Sequence, residues 1–334
     1  MTRRLLLVSP AFHGYWQSIE AALSRRGYAV TTLAYDQQPG LVARARTKIV
    51  EELPERLGRP ARAKRADHTA RAVDALEAVD PQVVLVVKGD TLGPAFWERL
   101  AGRKVPRALW LYDELRRTRH TPETLDAAGP IASYSRGDVA TLVAEGRRAV
   151  HVPLAHDPHV PFESSPAQEV IFVGARYPAR EHLLTHLAEA GLPVRAYGRD
   201  WSTHPIDRLR TWRLDTPPVP AGRDLSRARA YAAMAGAAAS LNIHGDQDGF
   251  TMRTFESAGI GAVQLVDRPE VSEFYDPTSE VAVFDSPEEA VELSRRALED
   301  ARWAEGLRSA ARRRTLAEHT FDHRIAALED LWQA

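Results

Sequence analysis

The chain alternates short apolar runs with longer stretches of helical spacing. Leu5–Val8 is the first run, and Ile19 and Leu23 follow at helical spacing within residues 15–26. Gly27 closes that helix, and residues 28–34, rich in Val, Thr and Leu, read as a second strand. Strand, helix and strand in such close succession make a βαβ unit with a parallel pair. The alternation predicts further strands at 83–88, 107–112, 131–134 and 149–153. It predicts helices at 41–57, 66–79, 94–101 and 137–145. Residues 153–168 carry Pro153, Pro158, Pro161 and Pro166 among polar residues and read as a linker. A second series follows, with strands at 170–173, 193–197, 237–243, 262–266 and 281–284. Its helices fall at 180–190, 225–235 and 287–314, and residues 205–222, rich in Pro and Arg, are expected to be irregular. The last segment, 321–332, is amphipathic, with Ile325, Leu328 and Leu331 on one side.

Two α/β series predict two α/β domains, residues 1–157 and 168–316, and a terminal helix within 317–334. At 334 residues each half is long enough to bury its own core. In open sheets of this kind a ligand binds outside the carboxyl ends of the strands.

Composition narrows the chemistry. The 44 Lys and Arg against 45 Asp and Glu leave a formal net charge of −1, so no global field favours nucleic acid or an acidic membrane. Cysteine is absent, which removes disulfides, thiolate catalysis and Cys-based metal sites and fits a reducing, cytoplasmic setting. The apolar opening Leu5–Val8 is too short for a secretory leader, and no apolar run is long enough to span a bilayer. No metal is expected. His182 and His186 have the spacing of a zinc pair, but Leu183 stands where that motif needs Glu, and His319 and His323 have no third ligand.

The stretch 245–259 carries the most chemistry. An apolar strand leads into Gly245-Asp246-Gln247-Asp248-Gly249-Phe250-Thr251-Met252-Arg253, which runs into a helix bearing Glu256. Gly245 and Gly249 allow positive φ and close approach of a ligand to the backbone. The helix start offers unpaired N–H groups and partial positive charge, which suit a diphosphate, and Arg253 adds a cation in the same turn. Four further segments follow strands. Gly174-Ala175-Arg176-Tyr177-Pro178-Ala179-Arg180 sets cations at a helix start, again suited to a polyanion. Ser9–Tyr15, with Gly14, and the triplets Lys88-Gly89-Asp90 and Tyr112-Asp113-Glu114 follow strands of the first half.

The stretch 245–263 resembles the C-terminal signature of two-domain, GT-B-fold glycosyltransferases. It is most similar to the CgeB-like branch of the retaining, family-four-type enzymes. Asp248 and Glu256 match that family's pair of acids separated by seven residues, with Asp where the wider family mostly has Glu. The resemblance implies two Rossmann-like domains facing each other across a cleft, with the terminal helix packing back on the first. It implies a nucleoside diphosphate sugar as donor, transferred to an acceptor with retention of configuration and without a metal. In that frame Asp248 contacts a donor-sugar hydroxyl and Glu256 the ribose. The amides near Gly249 and Phe250, with Arg253, hold the diphosphate. Arg180 matches a diphosphate-binding Lys of the family. Ala175 stands where the family has Arg, with Arg176 adjacent, and Gly174 precedes both. Gly14 matches a glycine that faces the donor phosphates. Asp113 and Glu114 are candidates for the sugar or the acceptor nucleophile. Asp248, Arg180 and Asp113 are thus the candidate catalytic residues. The arginines of 56–65 and 103–119 lie in the half that binds acceptors in this fold, so an anionic acceptor fits. Two alternatives remain: a noncatalytic nucleotide-sugar-binding protein, and a nucleotide-sugar epimerase of the same fold. A dinucleotide-dependent oxidoreductase is disfavoured, since neither half has Gly-x-Gly-x-x-Gly after its first strand.

Overall fold

The computed structural model describes residues 2–37 and 62–333. The helix expected at 41–57 and residues 56–61 of the basic segment lie outside the described residues. The described chain forms two compact units, Met1–Pro153 with Phe321–Ala334, and Leu154–Thr320.

The first unit carries β1 (Arg3–Ser9), α1 (Tyr15–Arg25), β2 (Tyr28–Ala34), α2 (Arg62–Val79), β3 (Val83–Val87) and α3 (Pro94–Gly102). It continues with β4 (Arg107–Leu111), α4 (Pro122–Ala128), β5 (Ile131–Ser133), α5 (Arg136–Ala144) and β6 (Ala149–His151). Its sheet is parallel in the order β2-β1-β3-β4-β5-β6. Every residue of β3 is buried, as a parallel strand covered on both faces requires. The strand order reverses between β1 and β3, which puts the loops carrying Gly14 and Lys88–Asp90 at the topological switch point. Helix α4 was not legible as a periodic segment. Thr121 and Thr124 cap it reciprocally, and Pro122 starts it.

The second unit carries β7 (Ala167–Val173), α6 (Pro178–Glu189), β8 (Val194–Tyr197), α7 (Pro205–Thr211), β9 (Ala221–Gly222), α8 (Arg227–Gly236) and β10 (Ala237–Asn242). Then come α9 (Met252–Gly259), β11 (Gln264–Val266), β12 (Ala282–Val283), α10 (Pro287–Glu299) and α11 (Ala301–Glu318). Its parallel sheet runs β12-β11-β10-β7-β8-β9, the doubly wound order, with its switch point between β7 and β10. Val170, Leu184, Leu187, Val194, Ala239, Leu241 and Leu265 are among the side chains that fill its core.

Two expectations need correction here. The single helix expected at 287–314 is two helices, because Asp300 leaves the helical conformation and its Oδ1 accepts the Trp303 amide at 2.9 Å. Residues 205–222 are not wholly irregular. Pro205 opens α7, and the His204 ring accepts the Ile206 amide at 3.3 Å.

The terminal helix α12 (Phe321–Gln333) belongs to the first unit. Arg25 donates to both Asp322 oxygens at 3.0 and 3.1 Å, Arg26 pairs with Glu329, and Trp332 meets Tyr28 edge-on. Its buried face, Phe321, Ile325, Leu328 and Leu331, is the apolar side read from the sequence.

Candidate functional site

The second unit's switch point is where the sequence motifs meet. The loop after β7 carries Gly174, and the loop after the neighbouring strand β10 carries residues 245–251. Arg180, on the first turn of α6, joins the two. Its Nε donates to Ile243 O at 2.9 Å and its Nη1 to Ala175 O at 3.1 Å. The guanidinium packs over the rings of Phe172 and Tyr177. Burial pushes it below the usual arginine value, with Tyr177 and Asp267 acting in the opposite sense, and it stays charged. No carboxylate among the described residues forms an ion pair with it. The close fit of the β7 loop needs Gly174. A Cβ there would meet Phe172 Cζ at 2.8 Å, and Gly174 O accepts Trp201 Nε1 at 3.1 Å.

Arg176 is placed differently. It is 3 % exposed, its Nε and Nη2 donate to Glu181 at 2.9 and 2.7 Å, and its Nη2 lies 2.7 Å from Asp215. Its guanidinium stacks over Trp201. Two carboxylates already answer its charge.

The loop 245–251 is held by a residue outside the sequence motifs. Arg268, just beyond β11, donates through Nη1 to Gln247 O (2.8 Å) and Gly249 O (3.4 Å), and through Nη2 to Asp248 O (3.0 Å). Its guanidinium lies over the Phe250 ring, 4.5 Å from the centroid. Phe250 is buried beneath it, while the Asp248 side chain is exposed. The signal was available, because Asp267 and Arg268 follow a predicted strand directly, on the ligand-binding edge. Asp267 accepts the His244 amide at 2.8 and 3.0 Å, and His244 Nδ1 lies 2.7 Å from Asp267 Oδ1. Below the loop, Asn242 Nδ2 donates to Thr254 Oγ1 (2.8 Å) and Gln264 Oε1 (3.0 Å), and Gln264 Nε2 donates to Thr254 O (3.2 Å). These buried bonds fix α9 to the ends of β10 and β11. Gly245 does not use the positive φ expected of it; space is open where its Cβ would stand.

Helix α9 starts at the end of this loop. Thr251 occupies the N-cap position without capping through its side chain, so the first-turn amides lack that partner. Arg253 is on the first turn. Glu256, one turn on, is 1 % exposed and accepts Tyr231 Oη–H at 3.0 Å and Arg253 Nη1–H at 2.9 Å. His156 stacks on Tyr231 with ring centroids 5.6 Å apart and packs flat against Gly259. Burial pushes His156 down to about 4, against the attraction of Glu256 and Asp157. Tyr231 and His156 were not singled out by sequence; both act through contacts far apart in the chain.

Gly14 and Asp113 lie in the first unit. Gly14 adopts φ +73 between the 3-10 turn Phe12–Gly14 and α1, so a side chain there would be strained. Asp113 pairs with Lys88, whose carbonyl lies 2.7 Å from His120 Nε2. Lys88 and Gly89 both take positive φ, 62 and 66. Glu114 is buried and paired with Arg116 and Arg117. Among the described residues no group of three or more His, Asp or Glu is placed to hold a metal, and no helix is long and apolar enough to cross a membrane.

Residues 178–330 match the family model described as glycosyl transferase-like. The match takes in Arg180, the loop 245–251 and Glu256. The chain is similar to solved structures along almost its whole length. One is sucrose-phosphate synthase from Thermosynechococcus elongatus, at 12% identity and a TM-score of 0.66, covering 99% of this chain and 98% of that one. Another is HepE from Anabaena in complex with UDP-glucose, at 11% identity and 0.62, covering 98% of each. A third is a putative UDP-N-acetylglucosamine 2-epimerase from Listeria monocytogenes, at 12% and 0.56, covering 99% and 95%. No curated protein matches the sequence. The two doubly wound units make this the GT-B fold.

Proposed function

We propose that this protein is a glycosyltransferase that moves a sugar from a nucleoside diphosphate sugar to an acceptor, in the manner of the CgeB-like branch. The observation that carries the reading is Arg180: a half-buried guanidinium without a carboxylate partner among the described residues, at the switch point, bonded to the carbonyl of Ile243 where the chain leaves β10 for the loop that leads to α9. When the anomeric C–O bond breaks, negative charge develops on the departing diphosphate. Arg180 and the first-turn amides of α9 meet that charge without reorganising. Arg176, already neutralised by Glu181 and Asp215, supports the loop rather than the anion. The exposed Asp248 carboxylate takes a sugar hydroxyl. The ribose hydroxyls replace Arg253 at Glu256 and release that guanidinium toward the diphosphate. Diphosphate stabilisation comes from the protein's own cations and amides, and retention of configuration is part of the proposal.

The test is thermal unfolding against nucleoside diphosphates and their sugars, with and without EDTA, followed by transfer assays. A ligand at about 100 times its dissociation constant adds roughly 2.7 kcal/mol. A selective, EDTA-insensitive rise lost in Glu256→Ala supports the donor site. Asp248→Ala should keep nucleotide affinity and lose transfer. Transfer at the parent rate in Asp248→Ala, or no rise with any nucleotide, rejects the assignment. The likeness to an epimerase structure favours one second reading, an epimerase acting on the same donor. Release of an epimerised sugar without acceptor distinguishes it.

A further inference from the structure

Helix α7 is amphipathic in reverse. Its one buried side chain is polar: Asp207, 3 % exposed, which accepts Ser202 Oγ–H at 2.8 Å and Arg223 Nε–H at 2.7 Å. The apolar residues point outward. Ile206 is 53% exposed and Leu209 68%, and just beyond the helix Trp212 is 65% and Leu214 78% exposed. A core-facing helix buries its apolar stripe. This one is pinned from within by an ion pair and leaves the stripe uncovered. Elsewhere among the described residues the exposed large hydrophobics, such as Phe12, Val143 and Leu316, are scattered. Arg208, Arg210 and Arg213 interleave with the apolar residues; Arg210 is exposed, Arg208 and Arg213 are half-buried, and Arg213 Nη2 donates to Arg176 O at 3.2 Å. Asp207 is already paired with Arg223, and Asp215, the next acid along the chain, with Arg176. A chain of net charge −1 therefore carries a local cationic, apolar surface with a tryptophan in it.

We infer that residues 206–214 dock on an anionic lipid bilayer. The chemistry matches an interfacial segment: Leu, Ile and Trp enter the headgroup–acyl boundary while arginines meet the phosphates. Trp suits that depth because its ring is amphipathic. A second copy of this chain fits less well, because a two-fold contact through this face would set the arginines against their own copies. The inference is independent of the sugar-transfer reading and can stand if that reading fails.

The experiment is flotation of the whole protein with phosphatidylcholine vesicles, with and without phosphatidylglycerol. Binding is expected only with phosphatidylglycerol, and it should weaken as salt rises. Leu209→Ser with Trp212→Ser should reduce the vesicle partition coefficient by roughly tenfold or more. Thermal unfolding checks that this variant folds. Arg210→Glu, a single exposed charge reversal, gives a second reading and should also lower the bound fraction. No flotation with phosphatidylglycerol, or flotation unchanged in both variants, overturns the inference. So does a light-scattering mass that falls from dimer to monomer in the double variant, which would make this face a self-contact. Failure to float while a protein partner is retained through the same residues also overturns it.

Discussion

Arg180 Nε donates to the carbonyl of Ile243, 63 residues further along the chain, at 2.9 Å. The bond spans the switch point, where β7 and β10 lie side by side but their loops lead to helices on opposite sides. The cation is therefore held by backbone carbonyls rather than by an acid. It is positioned and forms no ion pair with a carboxylate among the described residues, which is what an anion site needs.

Replacing it tests both roles. Arg180→Ala should weaken nucleoside diphosphate binding about tenfold or more, about 1.4 kcal/mol, as read by calorimetric titration. The lost carbonyl bonds should also cost roughly 1–2 kcal/mol of stability. Arg180→Lys keeps the charge without the fork and should recover only part of the affinity. Affinity equal to the parent's in both variants would remove Arg180 from the site.

Arg268→Ala should loosen the loop 245–251 without unfolding the unit. Three loop carbonyls lose their donor, and Phe250 loses its stacked guanidinium. Limited proteolysis with chymotrypsin should show faster cleavage after Phe250. Turnover should fall roughly 10- to 100-fold through misplacement of Asp248. Cleavage at the parent rate would show that the loop is held by something else.

Gly259→Ala should be costly although Gly259 lies in a helix, where Ala is normally favoured. A Cβ there would stand 2.4 Å from the His156 ring, which Tyr231 backs on another side. Overpacking of this kind costs about 1–3 kcal/mol. In a His156→Ala background most of that cost should vanish, and urea unfolding of the four proteins measures the coupling. Equal costs in both backgrounds would refute the contact.

Stability should fall as acid charges His156. Its folded value is lowered by burial from 6.5 to about 4, so between those values the unfolded chain binds a proton that the folded chain does not. The stability held by the neutral ring is complete above about pH 6.5 and lost progressively toward pH 4. At about 1.4 kcal/mol per unit this amounts to roughly 3 kcal/mol. His156→Gln should flatten the profile in that window. His120, also lowered by burial, leaves a residual slope. An unchanged profile would mean that His156 is charged in the folded protein or does not contribute.

Much of the fold is legible along the chain because the signals are local. Leu5–Val8 and Val83–Val87 are buried strands because continuous apolar runs suit sheets covered on both faces. The loop 245–251 is readable because Gly and acid crowd together after a strand, with Arg253 just beyond them. Helix α7 was hidden because its apolar residues face outward, against the pattern that sequence reading assumes. The break at Asp300 was hidden because helical spacing persists on both sides of it.

The sequence by itself determined the doubly wound α/β pattern, the strand ends that bear loops, and the cations and acids available there. Only tertiary structure decided which of these are chemically free. Arg176 and Arg180 are four residues apart and alike on paper. Asp215, a distant residue, joins Glu181 in neutralising the first, while the carbonyls of Ile243 and Ala175 hold the second, which forms no ion pair among the described residues. A side chain's charge is a property of the residue, but the field around it is set by groups that folding brings close. That field is long-range in sequence and cannot be read from spacing.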